Sequence, residues 1–459
     1  MQEQEQSKAW RDEIRATLTL AWPLVGANLL QMAIYAVDVM FVARLGTVEF
    51  AAATLGVFLI SIVLWALIGL TTACAPIIAA ELGRKAHSVR EVRRTVRMTM
   101  WLSVLACLPF MILLHFGEQM LLFAGQDVRV AARADDFLDI LLWALIPGVM
   151  ANAMRAVAAA LGRQGWALGI TAISLAIGIL GNWLLVFGNA GFPALGLEGA
   201  ALASVITSFA MLAAYFAVFM LDPKLSRYRL FGRWWRTEWQ RMGEIAKLGG
   251  PIALGWTMEG ALFGGAAVLM GMIGVAEVAA HAVALNIAAL AFQVPLGVAQ
   301  AGTIRVGLAY GARDVAAIAR AGWVAIAVGT GFMASTALFI LAAPMLLISI
   351  YIDTNAPENA RTVALALSFL GIAAMFQLLD GCQVVAAGAL RGLQDTRVPM
   401  LIAGLSYWVA GFGTSILLGF YTPLQGLGIW IGLAAGLAVA SALLLWRWTR
   451  REELGLVRH

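Results

Sequence analysis

Charge is scarce in this chain. Only 12% of its 459 residues are Asp, Glu, Lys or Arg, against 62% that are hydrophobic, and the mean hydropathy is +0.86. So few polar side chains cannot cover a water-facing surface, which excludes a soluble globular protein. Histidine (4) and cysteine (3) are rarer still. Cys74, Cys107 and Cys382 all fall in apolar stretches, where small packing residues are expected rather than disulfides or metal ligands. No His-Glu-x-x-His zinc motif and no Walker-type phosphate loop occurs, so the sequence offers neither metalloprotease nor ATP-driven chemistry. The alternation of barrel strands is missing too. The first 15 residues are charged and polar without the apolar core of a secretory signal, so the first helix is expected to be retained.

What is abundant is long apolar sequence. Twelve stretches of about 20 residues or more, enough to cross ~30 Å of hydrocarbon as helix, fall near 16–42, 51–79, 95–116, 136–160, 166–188, 199–221, 247–273, 278–304, 318–350, 361–389, 398–420 and 425–448. The expected fold is an all-α polytopic membrane protein. Of 31 Lys and Arg, 26 lie in or beside the N-tail, the loops after even-numbered helices and the C-tail, and four (Arg44, Arg129, Arg133, Arg361) lie on the opposite side. By the positive-inside rule both termini are cytoplasmic. The basic residues from Arg84 to Arg97 and from Lys224 to Lys247 are split among short loops, so the net charge of +5 marks topology and not a nucleic-acid surface. Trp234, Trp235 and Trp239 suit an amphipathic segment in the headgroup layer.

Shifting the chain by 228 residues superposes its halves. Pro23 meets Pro251, Gly46 meets Gly274, Glu49 meets Glu277, Gly83 meets Gly311, and Ala158-Ala159 meets Ala386-Ala387. The expected organisation is two six-helix lobes, 1–221 and 247–459, joined by a basic cytoplasmic linker, 222–246. Parallel repeats of this kind frame a central cavity and expose it alternately to either side, which is transporter architecture. Repeats of small residues, such as those at Gly428, Gly432 and Gly436, read as helix-packing faces.

Three carboxylates stand inside apolar stretches: Asp38, Glu259 and Asp380. An acid in a membrane span is costly and persists where it faces a protein interior or a wet cavity, so each is a candidate site. At the repeat shift Glu259 corresponds to Gln31 and Asp380 to Asn152. Acid and amide share a shape but differ in binding a cation or proton, which places ion coupling in the C-terminal lobe. Asn286 is a possible oxygen ligand nearby, and Phe376 stands one turn before Asp380. Carboxylate and amide oxygens suit Na+ or H+ rather than zinc or copper.

At this point the chain resembles the MATE family, multidrug and toxic compound extrusion transporters, and in particular its NorM-like bacterial branch. The segments carrying the resemblance are AWPLVGANLLQMAIYAVDVMFVARLG, GPIALGWTMEGALF, AAHAVALNIAALAFQVPLGVAQAGTIRVG and MFQLLDGCQVVAAGALRGLQDT. The resemblance implies a V-shaped, two-lobed, twelve-helix fold in the bacterial inner membrane, acting as a monomer without cofactor. It implies export of amphipathic organic cations, drugs and dyes, in exchange for Na+ or H+. Glu259 and Asp380 match the family's cation-site acids, which would hold Na+ if coupling is to sodium; Asp38 matches the acid of the first helix and Asn182 the asparagine of the fifth. Related proteins often carry Tyr where this chain has Phe376, which leaves a ring face in place of a hydroxyl. Met32, Met258 and Phe292 are candidate substrate-lining residues.

Two other functions are weighed against this. A lipid-linked oligosaccharide flippase of related fold would call for buried Arg or Lys against pyrophosphate, whereas the deep ionisable residues read as acidic, with Arg155 the exception. An intramembrane aspartyl protease would call for a Gly-x-Gly-Asp setting, but Asp380 lies in Leu-Asp-Gly. The chain is therefore expected not to be an enzyme.

Overall fold

A computed structural model describes residues 2–85, 88–230, 232 and 234–457. Among these residues there is no strand, and twelve helices are long and apolar enough to cross a membrane. They are α1 (Gln4–Val42), α2 (Thr47–Arg84), α3 (Val89–Leu114), α4 (Val128–Ala160), α5 (Gly165–Leu185), α6 (Leu197–Leu221), α7 (Trp239–Ile273), α8 (Val275–Ala312), α9 (Val315–Ala342), α10 (Pro357–Gly392), α11 (Arg397–Phe420) and α12 (Gly426–Thr449). Backbone groups in hydrocarbon have no water to bond, so each crossing satisfies them within its own helix.

Several helices outrun the apolar stretches that announce them. α1 begins in the charged tail and α7 at Trp239, because Lys, Arg, Glu and Gln are good helix formers and find ion-pair partners there. Trp234 and Trp235 lie in a turn and Trp239 opens α7; the Trp234 carbonyl accepts from the Trp101 indole N–H at 3.1 Å. α2 breaks at Ala73, just after Thr71 and Thr72 bond back onto the Leu67 and Ile68 carbonyls at 3.0 and 2.6 Å, and just before Pro76, which has no N–H to give.

The chain forms two compact units, Met1–Val25 with Leu254–His459, and Gly26–Ala253. The two points at which it passes between units lie 228 residues apart, the same interval as the repeat, and each follows a proline inside a helix, Pro23 in α1 and Pro251 in α7. Glycine lets each borrowed half-helix approach its neighbour. A Cβ on Gly297 of α8 would meet the Val25 Cγ2 at 2.5 Å, and one on its repeat counterpart Gly69 of α2 would meet the Ala253 Cα at 2.8 Å. Ion pairs fasten the same half-helices: Arg305 grips Glu13 with two hydrogen bonds, at 2.8 and 2.6 Å, and Arg241 reaches Glu81 at 3.3 Å. Each unit has its own apolar core, one around Phe369, Leu370, Trp430 and Leu433, the other around Leu67, Phe137, Leu138 and Val149.

Candidate functional site

The smaller cluster of polar groups lies in the unit formed by Gly26–Ala253. Asp38 on α1 is half-buried and accepts hydrogen bonds from Asn182 Nδ2 of α5 at 2.7 Å and from Ser204 Oγ of α6 at 3.1 Å. Asn182 is fully buried and its amide also donates to the Gly178 carbonyl one turn back, which fixes the side chain toward Asp38. The structure thus brings Asp38 and Asn182 together and adds Ser204. Tyr35 stands one turn before Asp38 within reach of its charge, and bonds Gln31. Asn152 on α4 accepts from Arg155 at 3.1 Å.

The second cluster lies in the other unit. Glu259 on α7 and Asp380 on α10 are close enough to interact electrostatically, and their helices meet through Phe263 and Phe376, whose ring centroids are 6.0 Å apart in an edge-to-face arrangement. Each ring is one turn from an acid, Phe263 after Glu259 and Phe376 before Asp380. Phe376 also packs edge-on against Trp430 of α12 at 5.5 Å, so it acts as a wall of the site. Asp380 is 5% exposed and its Oδ1 has no hydrogen-bond partner among the described residues; one turn earlier, both amide atoms of the fully buried Gln377 are likewise without one. Buried polar atoms are rarely left so, and those that are mark strain, a functional role, or a water or ion. Among the described residues, Asp38, Glu259 and Asp380 make no ion pair.

Asn286 is not joined to this cluster: it is exposed and its amide donates to the Ala282 carbonyl of its own helix at 2.8 Å. Met32, Met258 and Phe292 are half-buried on α1, α7 and α8, and Met258 lies against Gly404 of α11, where a Cβ would meet its Cε at 2.5 Å.

A family model described as MatE matches residues 23–184 and 251–417, two segments that begin at the paired prolines. The chain belongs to the MatE family. It is similar to a probable multidrug resistance protein NorM of Mesorhizobium japonicum, 49% identical over 97% of this chain and 95% of that protein. It is 43% identical to the probable multidrug resistance protein NorM of Brucella suis, over 96% of this chain and 94% of that one. Among solved structures, the crystal structure of a mutant of the Vibrio cholerae MATE transporter VcmN overlays with a TM-score of 0.87 at 18% identity, over 98% of this chain and 99% of that chain. The fold is therefore that of the MATE transporters, and this MatE protein is a transporter, not an enzyme.

Its sites hold residues that sequence reasoning missed. Arg391 of α10 interacts electrostatically with Glu259, and its guanidinium lies 5.8 Å from the ring centre of Trp256, one turn before that acid. Arg391 stands in the last turn of α10, among the 26 basic residues that mark topology, and its charge still reaches Glu259. Tyr407, buried in a π-helical stretch of α11 (Ser406–Gly413), accepts from Gln383 Nε2 at 2.6 Å and feels the charges of Glu259, Asp380 and Arg391. A π-helical bulge in a helix is a common mark of a functional site, but nothing in composition announces one. Ser204 carried no signal either, being one hydroxyl in an apolar helix. Gln383 was findable, because at the repeat shift it faces Arg155.

Proposed function

We propose that this MatE protein is a secondary multidrug efflux antiporter of the bacterial inner membrane, exporting amphipathic organic cations in exchange for Na+ or H+. The observation that carries the reading is the pair Glu259 and Asp380: two acids within electrostatic reach of one another, neither in an ion pair among the described residues though Arg391 acts on Glu259 from a distance, with Asp380 Oδ1 unpartnered among those residues. Two carboxylates in a low-dielectric interior repel, and one positive guest relieves that repulsion. Proton, sodium ion and organic cation are all such guests, so competition for the pair suffices to exchange one for another. Asp38, held by Asn182 and Ser204, is a second acid station in the other unit. Gln31 and Asn152 are the neutral counterparts of the coupling acids, and Phe376 supplies a ring face in place of a ligand oxygen. Met32, Met258 and Phe292 offer substrate adaptable apolar contact. The placement of 26 of the 31 basic residues supports cytoplasmic termini.

Glu259→Gln and Asp380→Asn each abolish dye efflux from energised cells while protein in the membrane stays at wild-type level. Retained efflux in both variants would remove the coupling assignment. Everted vesicles given first a sodium gradient and then a proton gradient decide between the two ions, as only the coupling ion drives dye uptake into them.

A further inference from the structure

The two units differ in more than the acids. Where α10 carries Asp380 and, three residues on, Gln383, the repeat counterpart α4 carries Asn152 and Arg155. The acid has become an amide and the amide has become a guanidinium, so the same turn of helix bears a negative charge in one half and a positive charge in the other.

Arg155 is half-buried in its span and makes its hydrogen bonds to neutral groups. One guanidinium nitrogen donates to Asn152 Oδ1 at 3.1 Å and another to Asn28 Oδ1 of α1 at 3.3 Å, with no carboxylate partner among the described residues. A guanidinium inside a membrane span normally pairs with an acid or lines a substrate path. The groups around it that lack a partner among the described residues can all donate. Asn28 is 5% exposed, and its Nδ2, a donor, has no acceptor among the described residues. Tyr215 of α6 is fully buried within reach of the Arg155 charge, and its hydroxyl has no partner among the described residues. The Tyr35 hydroxyl feels the same charge. Guanidinium, amide N–H and phenol O–H are all donors, and the guest that would satisfy them together is an anion with several acceptor oxygens.

A purely structural role does not call for this residue. At the matching position of the other half, the neutral Gln383 joins its neighbour Tyr407 with a single hydrogen bond. Asp38, beyond Tyr35 on the same helix, supplies the opposite charge ten residues from Asn28, about 15 Å along α1. One unit thus presents a positive and a negative group to either side of a tyrosine.

We infer that Arg155, with Asn28 and Tyr215, receives a carboxylate of the transported molecule, so that this protein selects drug-sized zwitterions over simple organic cations. The inference rests on the efflux reading above and adds to it the chemical class of the cargo. The ammonium end of such a molecule faces Asp38 and the carboxylate faces Arg155.

The test uses the full-length protein in proteoliposomes with a fluoroquinolone zwitterion and its methyl ester, which keeps the amine and loses the anion. The expected result is that wild type transports the acid with higher kcat/KM than the ester. The ratio falls about tenfold or more in Arg155→Gln and is partly kept in Arg155→Lys, as a buried charge-assisted contact requires. A ratio unchanged in Arg155→Gln overturns the inference and leaves the efflux reading standing. Should Arg155→Gln not insert, wild type alone decides: in detergent the acid binds at least tenfold more tightly than the ester, and equal affinities overturn the inference. Ester transport by wild type that stops when gluconate replaces chloride assigns the donors to a free inorganic anion and overturns the substrate assignment. Transport of neither compound under any cation gradient overturns the efflux reading and this inference with it.

Discussion

Asp222, just past α6, shows how a single side chain closes a helix end. It is 4% exposed, accepts from the backbone N–H groups of Lys224 and Leu225 at 2.9 and 3.3 Å, and takes the Trp166 indole N–H at 2.9 Å and an Arg163 nitrogen at 2.5 Å. Burial alone would raise its carboxyl, but the Trp166 and Arg163 bonds and the Lys224 amide outweigh it and hold the group down to about 2. A carboxyl lowered by folding stabilises the native state above its unfolded pKa, near 4, and that contribution disappears as pH falls toward 2. Asp222→Ala therefore costs about 2–3 kcal/mol at pH 7, since it removes a cap and strands buried donors. Thermal unfolding in detergent measures it, and the gap to wild type narrows between about pH 4 and 2. At this scale the sequence was uneven. A lone acid in an apolar stretch is visible because its cost is large, so Asp38, Glu259 and Asp380 stood out; Tyr407 did not, because an aromatic ring in an apolar span reads as core, and Ser204 did not, because a serine hydroxyl in a helix can bond back to its own backbone. Asn286, a plausible ligand by position, does just that.

At the scale of the element, the repeated glycines separate into those that allow contact and those that do not. A Cβ on Gly249 of α7 would lie 2.1 Å from the Leu70 carbonyl oxygen of α2, a backbone atom that cannot swing aside, whereas one on Gly250 meets nothing. Gly249→Ala is expected to cost about 3 kcal/mol or to prevent assembly, the upper range for overpacking. Gly250→Ala is neutral or gains up to about 1 kcal/mol from helix propensity. Detergent-solubilised yield and melting temperature of the adjacent pair give the comparison, and equal behaviour would mean that α2 and α7 do not approach there. The twelve spans were legible because hydrophobic length is a strong signal. Their ends were not, because helices continue past the hydrocarbon wherever charged residues find partners, as Glu13 does in Arg305.

At the scale of the whole molecule, the duplication carries most of what the sequence could say. Both passages of the chain between units fall at the repeat interval, and the acid-for-amide differences at 31 and 259 and at 152 and 380 came from the same alignment. The same alignment sets Gln383 against Arg155 as a third difference, and what it could not reveal is that Arg155 already bonds Asn152. This has a consequence for moving the site. A chain with Gln31→Glu and Asn152→Asp together with Glu259→Gln and Asp380→Asn has an unchanged net charge and its acids at equivalent positions of the other unit. If the acids alone were sufficient, coupled efflux would survive the transfer. The expected result is that it does not, because the acid introduced by Asn152→Asp pairs with Arg155 in a low-dielectric setting and is no longer available to a cation. Adding Arg155→Gln, the residue of the intact site at that position, frees the introduced acid and restores part of the gradient-driven dye uptake in everted vesicles. Full activity in the four-substitution chain, before Arg155 is touched, would show that the guanidinium does not decide where coupling resides.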